Sequence, residues 1–164
     1  MNAIDRKIEK FVEEKLKTLM TPKHWSKFLL PDVQKLAVYK RADEKGLVAC
    51  VTCGDVYVYR DKAIQGGHFI GRKCKQTAHL LLNVWPQCAT CNGPEGKGMT
   101  KEFAEFLGES RVRTLEQIKM GPLPFRDEND VYDPYLLAEY LVGTIRPLLR
   151  REEKRLKKIE GVSG

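Results

Sequence analysis

Cys50-Val51-Thr52-Cys53 and Cys88-Ala89-Thr90-Cys91 form two CxxC pairs, with Gly66-Gly67-His68 between them and Asn92 directly after the last cysteine. Thiolates at this spacing close a tetrahedral zinc site, and two such pairs are a strong signal for one. A plain zinc ribbon leaves about 15 to 20 residues between its pairs. Here Gly54 to Gln87 intervene, far more chain than closure needs. The stretch therefore predicts a small fold stapled by a structural zinc on Cys50, Cys53, Cys88 and Cys91, with the chemistry carried inside the zinc loop. A site of four thiolates has no open position, so this zinc is not the catalytic centre.

Working outward, Val56-Tyr57-Val58-Tyr59 is β-branched and aromatic and reads as a strand. Asp61-Lys62 would turn it, and Ile64 to Ile70 would return as its hairpin partner. Pro86 is placed to open a short helix carrying Cys88, Cys91 and Asn92, which Gly93-Pro94 then ends. On the N-terminal side, Ile4, Ile8, Phe11, Val12, Leu16 and Leu19 recur at helical spacing and predict a helix over 3–20. A second helix is expected from Asp32, as N-cap, to about Glu44. On the C-terminal side Thr100 reads as the N-cap of a helix to Leu107, and Thr114 to Gln117 has capping-box spacing for a further short one. Residues 120 to 134 lack periodicity. A last helix, from Tyr135 past Pro147 to about Ile159, ends dense in Arg and Lys.

The expected architecture is thus α+β, in four segments. An N-terminal helical region covers 1–46, the zinc-stapled core 47–118, a linker 119–134 and a basic C-terminal helix 135–164. The chain has 164 residues, 42% hydrophobic, and Lys and Arg exceed Asp and Glu by seven. That is enough for one modest core, and the charge makes a polyanionic partner plausible without proving one. No apolar run approaches the roughly 18 residues of a membrane span, and the charged N-terminus has no signal-peptide h-region. A cytoplasmic protein with reduced thiols is expected. Cys74, left over from the two pairs, reads as a small half-buried residue.

His68 follows two glycines that let another backbone or a phosphate come close. A neutral imidazole can take a proton from water near neutral pH, as phosphodiester hydrolysis requires. Asn83, Asn92 and Glu95 offer the oxygens that hard divalent cations prefer. Read one by one, Asn83 is a turn residue and Asn92 a helix terminator.

Together these residues resemble the HNH nucleases, in the variant that replaces the last histidine with asparagine. More closely, Cys50 to Gly54, Gly67-His68-Phe69, Arg72, Asn83-Val84 and Pro86 to Asn92 resemble the lambda NinG family, also called Rap. These are phage recombination proteins that cut branched DNA. The likeness runs from about Leu36 to about Ile118. The phage resolvase endonuclease VII is a more distant likeness, through Asn92 and Glu95.

The resemblance implies a ββα-metal core and a metal-dependent endonuclease acting on Holliday junctions or flaps, in the host cytoplasm if phage-encoded. It implies His68 as general base, Asn92 as ligand of a catalytic Mg²⁺ or Mn²⁺, Asn83 as the residue holding the histidine's loop, and Arg72 as a phosphate contact. Many relatives place an aspartate ligand where this chain has Gly67. Either Glu95, the better placed, or another acid such as Asp55 or Asp61 would complete the site, or metal binding would be weak. The apolar faces of the terminal helices suggest that they pack on each other or across a homodimer. Two other readings remain open: a non-catalytic zinc-stabilised nucleic-acid-binding module, and a generic duplex-cutting HNH nuclease.

Overall fold

The computed structural model describes residues 30–162 apart from Glu95 and Lys97. The helix expected over 3–20 lies outside the described residues. Helix α1, Leu30–Tyr39, buries Leu30, Val33, Leu36, Ala37 and Val38 along one face. It starts ahead of Asp32, which is a first-turn residue and not the N-cap, and it stops short of Glu44. Its last carbonyls explain the early stop. Arg41 Nη1 donates to Ala37 O at 2.8 Å, and Arg155 Nη2 donates to Tyr39 O and Ala42 O at 2.9 and 3.1 Å. Two guanidinium groups thus satisfy the orphan acceptors that a longer helix would otherwise use.

Two antiparallel hairpins follow, with pairing that differs from the expected one. Strand β1, Leu47–Ala49, pairs with β2, Val56–Val58. Strand β3, Ile64–His68, pairs with β4, Val84–Cys88, and not with β2. The Asp61 turn therefore joins two hairpins and does not close one. The physical reason lies at the tip of the first hairpin. Cys50 N–H bonds Asp55 O at 2.8 Å and Gly54 N–H bonds Cys50 O at 2.9 Å. Gly54 sits at φ +81°, where a Cβ would be strained. This tight loop returns the chain immediately, so the short strand before Cys50 captures β2.

Pro86 lies within β4, and the short helix α2, Ala89–Asn92, begins later than expected, with Cys88 as its N-cap. Helix α3, Thr100–Leu107, is capped by Met99, so Thr100 is its first residue. Gly108 at φ +77° ends it, and α4, Glu109–Met120, starts at once. Thr114 lies within α4, its hydroxyl donating back to Ser110 O at 2.9 Å, so the expected capping box is absent.

Helix α5, Pro134–Tyr140, is N-capped by Asp133 and leads through a π-helical turn, Leu141–Ile145, into α6, Arg146–Val162. Proline in a helix interior clashes with the carbonyl four residues back, here Gly143. The widened turn falls immediately before Pro147, which lets one continuous helical rod contain it.

Helix α6 lies along α1. Arg146 Nε meets Asp32 Oδ2 at 2.8 Å, and Lys35 Nζ meets Glu153 Oε1 at 2.6 Å. One core unites α1, Val84, α5 and the start of α6. A second gathers Val48, Tyr59 and Ile64 with three of the paired cysteines under Leu156. A third joins Ile70 to Phe103, Leu107 and Leu115. The α+β class is as expected. No helix among the described residues is long and apolar enough to cross a membrane.

Candidate active site and metal cluster

Hairpin β1–β2 delivers Cys50 and Cys53, and the β4–α2 junction delivers Cys88 and Cys91. Their four sulfurs lie within 4.8 Å of one another, a group that could hold a metal ion such as zinc. Cys53 and Cys88 sulfurs are 3.8 Å apart. A tetrahedron with metal–sulfur bonds of about 2.3 Å needs edges of about 3.8 Å. Burial alone would raise the Cys50 thiol, yet N–H groups of Cys53, Cys88 and Thr52 and the Thr52 hydroxyl outweigh it and bring it down to about 6. Burial pushes the neighbouring Cys91 thiol up. Thiolates this close repel each other, and a shared cation is what lets all of them ionise.

His68 ends β3, half-buried. Its Nε2 lies 2.9 Å from Ala78 O. A carbonyl only accepts, so Nε2 carries the proton and Nδ1 of the neutral ring keeps its lone pair. Burial first, and then the charge of Arg72, hold the ring's pKa below the usual histidine value, against the Ala78 bond that raises it. The loop that presents Ala78 is organised by Asn83, which is fully buried. Asn83 Oδ1 accepts from Ile70 N–H at 2.8 Å, and its Nδ2 donates to Ile70 O and Thr77 O at 2.9 and 3.1 Å.

Asn92 ends α2 and reaches β3 by a different residue. Its Nδ2 donates to Gln65 Oε1 at 3.0 Å. Strand alternation puts Gln65 and Gly67 on one face of β3 and His68 with Gly66 on the other. Among the described residues no hydrogen bond joins His68 to Asn92. Glu95 lies outside the described residues. Asp61 is engaged in its own turn, with Oδ1 on Ala63 N–H at 2.8 Å, and Asp55 is exposed beside the first cysteine loop.

Both glycines before His68 are spatial requirements. A Cβ on Gly66 would lie 2.6 Å from Gln34 Cα of α1, and one on Gly67 would fall on the Gln87 side-chain oxygen. Gln87, to which the sequence assigns no role of its own, is fully buried. Its Nε2 donates to Gly98 O at 2.8 Å, while Oε1 has no partner among the described residues. An orphaned buried carbonyl costs roughly 1–3 kcal/mol, and a bound water or ion is one way to offset it. Gln87 and Gln65 are direct cross-strand partners. The face next to Asn92 thus carries amide oxygens of the type a hard cation accepts, and no carboxylate among its described strand residues. Only the strand register reveals Gln87, so sequence spacing could not single it out.

Arg72 is exposed and stands on the wall of a cleft of about 440 Å³ between α1 and β3, with Lys35, Arg60 and Asp61. Lys35 and Arg60 are paired with Glu153 and Glu160. Arg72 makes no ion pair among the described residues. Cys74 is half-buried, donating to Gln76 Oε1 at 3.4 Å. Comparison with protein-family models, with curated proteins and with solved structures returns no match.

Proposed function

We propose that the chain is a metal-dependent endonuclease of the HNH type that hydrolyses phosphodiesters in branched DNA, with His68 as general base and a structural zinc on the four cysteines. The observation that carries the reading is the fixed tautomer of His68: Nε2–H is committed to Ala78, so the basic nitrogen is Nδ1. The β3–β4 hairpin followed by α2, which ends at Asn92, supports it further.

In this reading water attacks phosphorus while His68 Nδ1 takes its proton. The bond from phosphorus to the 3′ oxygen breaks, and that oxygen leaves as a hydroxyl after taking a proton from solvent. Arg72 donates to a non-bridging phosphate oxygen. Asn83 keeps the Ala78 carbonyl in place and so holds the imidazole. A divalent cation such as Mg²⁺ or Mn²⁺, when bound, would supply positive charge to the phosphate and the leaving oxygen. Asn92, Gln87 and Glu95 are the donors that would hold it.

The strand face without a carboxylate at Gly67 favours a second reading, a non-catalytic nucleic-acid-binding module. The test is incubation of the protein with linear duplex, flap and four-way junction DNA in Mg²⁺ or Mn²⁺. We expect branched substrates to be cut, and His68→Ala to abolish cutting while zinc content is unchanged. Binding without cutting of any substrate favours the module, and equal cutting of linear duplex favours a generic duplex nuclease.

A further inference from the structure

The first cysteine loop, β4 and α3 enclose a second cavity, of about 570 Å³, whose walls include Arg41, Trp85, Pro86 and Phe106 and no carboxylate. The Arg41 guanidinium carbon sits over Trp85, 3.5 Å from the ring centroid, and that of Arg111 approaches the same ring at 5.5 Å. Phe106 meets Trp85 edge-on at 5.1 Å and is 43% exposed.

Elsewhere in the described chain Arg60, Arg113, Arg126, Arg146, Arg151 and Arg155 each have a carboxylate partner. Arg41 and Arg111, like the exposed Arg72 and Arg150, have none among the described residues, and burial first, then the charge of Arg111, lowers the pKa of Arg41 to about 10. The face of an aromatic ring offsets part of that repulsion, and a bound anion would offset the rest. Arg41 spends donors on Ala37 O and Leu81 O, and a guanidinium has five. Arg111 spends one on Leu107 O at 3.4 Å, so both arginines keep donors free at the edge of an aromatic cavity.

We infer that Arg41, Arg111, Trp85 and Phe106 form a binding site for one unpaired nucleotide of a nucleic-acid strand. The arginines would take its phosphate and Phe106 its base. Cationic groups interleaved with aromatic rings are how single strands are gripped without sequence preference. Trp85 pairs directly with Gly67, and the next pair along the hairpin is His68 with Val84. The Trp85 face is opposite the one that carries His68, so a strand seated here would hold the branch from across the hairpin, and unpaired bases are what a branch point offers and a duplex does not. The inference rests on the reading of the chain as a nucleic-acid enzyme.

The test uses the full chain with His68→Ala, so that substrate survives, and measures binding of a labelled single-stranded oligonucleotide, its abasic counterpart and a duplex of equal length. Phe106→Ala should weaken single-strand binding about tenfold, and the abasic strand should bind the parent as weakly. Arg111→Gln should lower the slope of log affinity against log salt by about 0.7. Both positions are solvent-exposed, and circular dichroism checks that the fold is intact. Unchanged affinity and slope in both variants overturns the inference, as does equal binding of the abasic strand. Loss of single-strand binding in these variants, together with no cleavage of any substrate by the wild-type chain, supports the site while the nuclease reading fails. No nucleic-acid binding by the parent overturns both.

Discussion

Hairpins β1–β2 and β3–β4 share one secondary structure and are held by opposite means. In the first, Val56 and Val58 of β2 are 59% and 50% exposed and Val48 is the one strand residue fully buried, so apolar burial holds it mainly on one side. Its tip is fixed by the cysteine cluster. In the second, α1 covers Gly66, and Asn83 ties the long return loop with buried hydrogen bonds. One hairpin ends in a cysteine cluster that could hold a cation, and the other rests on side-chain amides and close packing. In the proposed function the two divide the work: a metal on the cysteines would anchor the scaffold, while the amide network sets the His68 ring.

Metal removal should separate the two most strongly. Structural zinc contributes on the order of 10 kcal/mol in small domains. A strong chelator should therefore expose residues 47–58 to amide hydrogen exchange, while His68 and the 69–83 loop keep more of their protection. Equal loss in both hairpins would erase the contrast.

Asn83→Ala attacks the other side. It leaves Ile70 N–H and the carbonyls of Ile70 and Thr77 without their partner in the core. We expect a loss of about 4 kcal/mol in denaturant unfolding, with zinc content unchanged in the remaining folded protein.

Acid gives a slightly smaller effect on the same loop. His79 is 2% exposed between Phe125 and Tyr140, and burial brings its pKa down to about 4, against a hydrogen bond with the Lys75 backbone. Its folded pKa is depressed, so between pH 6.5 and 4 the unfolded chain binds the extra proton. Stability then falls as pH falls through that window, by about 3 kcal/mol in all. Cysteine protonation also releases metal in acid, so the measurement is the difference between wild type and His79→Phe, which should lack this part of the slope.

The cysteine cluster was legible from sequence because its spacing is local and its chemistry permits few alternatives. The last helix is placed from Tyr135, while its true start, Asp133 as N-cap and Pro134 as first residue, reads as linker; the helix end at Leu107 was legible. The strand pairing was not, because three-residue strands carry too little pattern to choose a partner, and a tight cysteine loop decided it. The roles of Gly66 and Gly67 depend on which side chains cross them, Gln34 and Gln87, and that is information in the register. The Arg41–Trp85 contact spans residues far apart in the chain and leaves no periodic trace. His68 was legible as a candidate, whereas its tautomer required Ala78.

The most direct measurement is the pH dependence of junction cleavage under single-turnover conditions. His68 must be neutral to act, and its pKa is held below the ordinary histidine value of 6.5. The rate should stay flat from pH 8 to about 6.5 and fall only below it, with the whole profile lost in His68→Ala. An acid limb centred at or above 6.5, or cleavage that survives His68→Ala, would contradict His68 as the base.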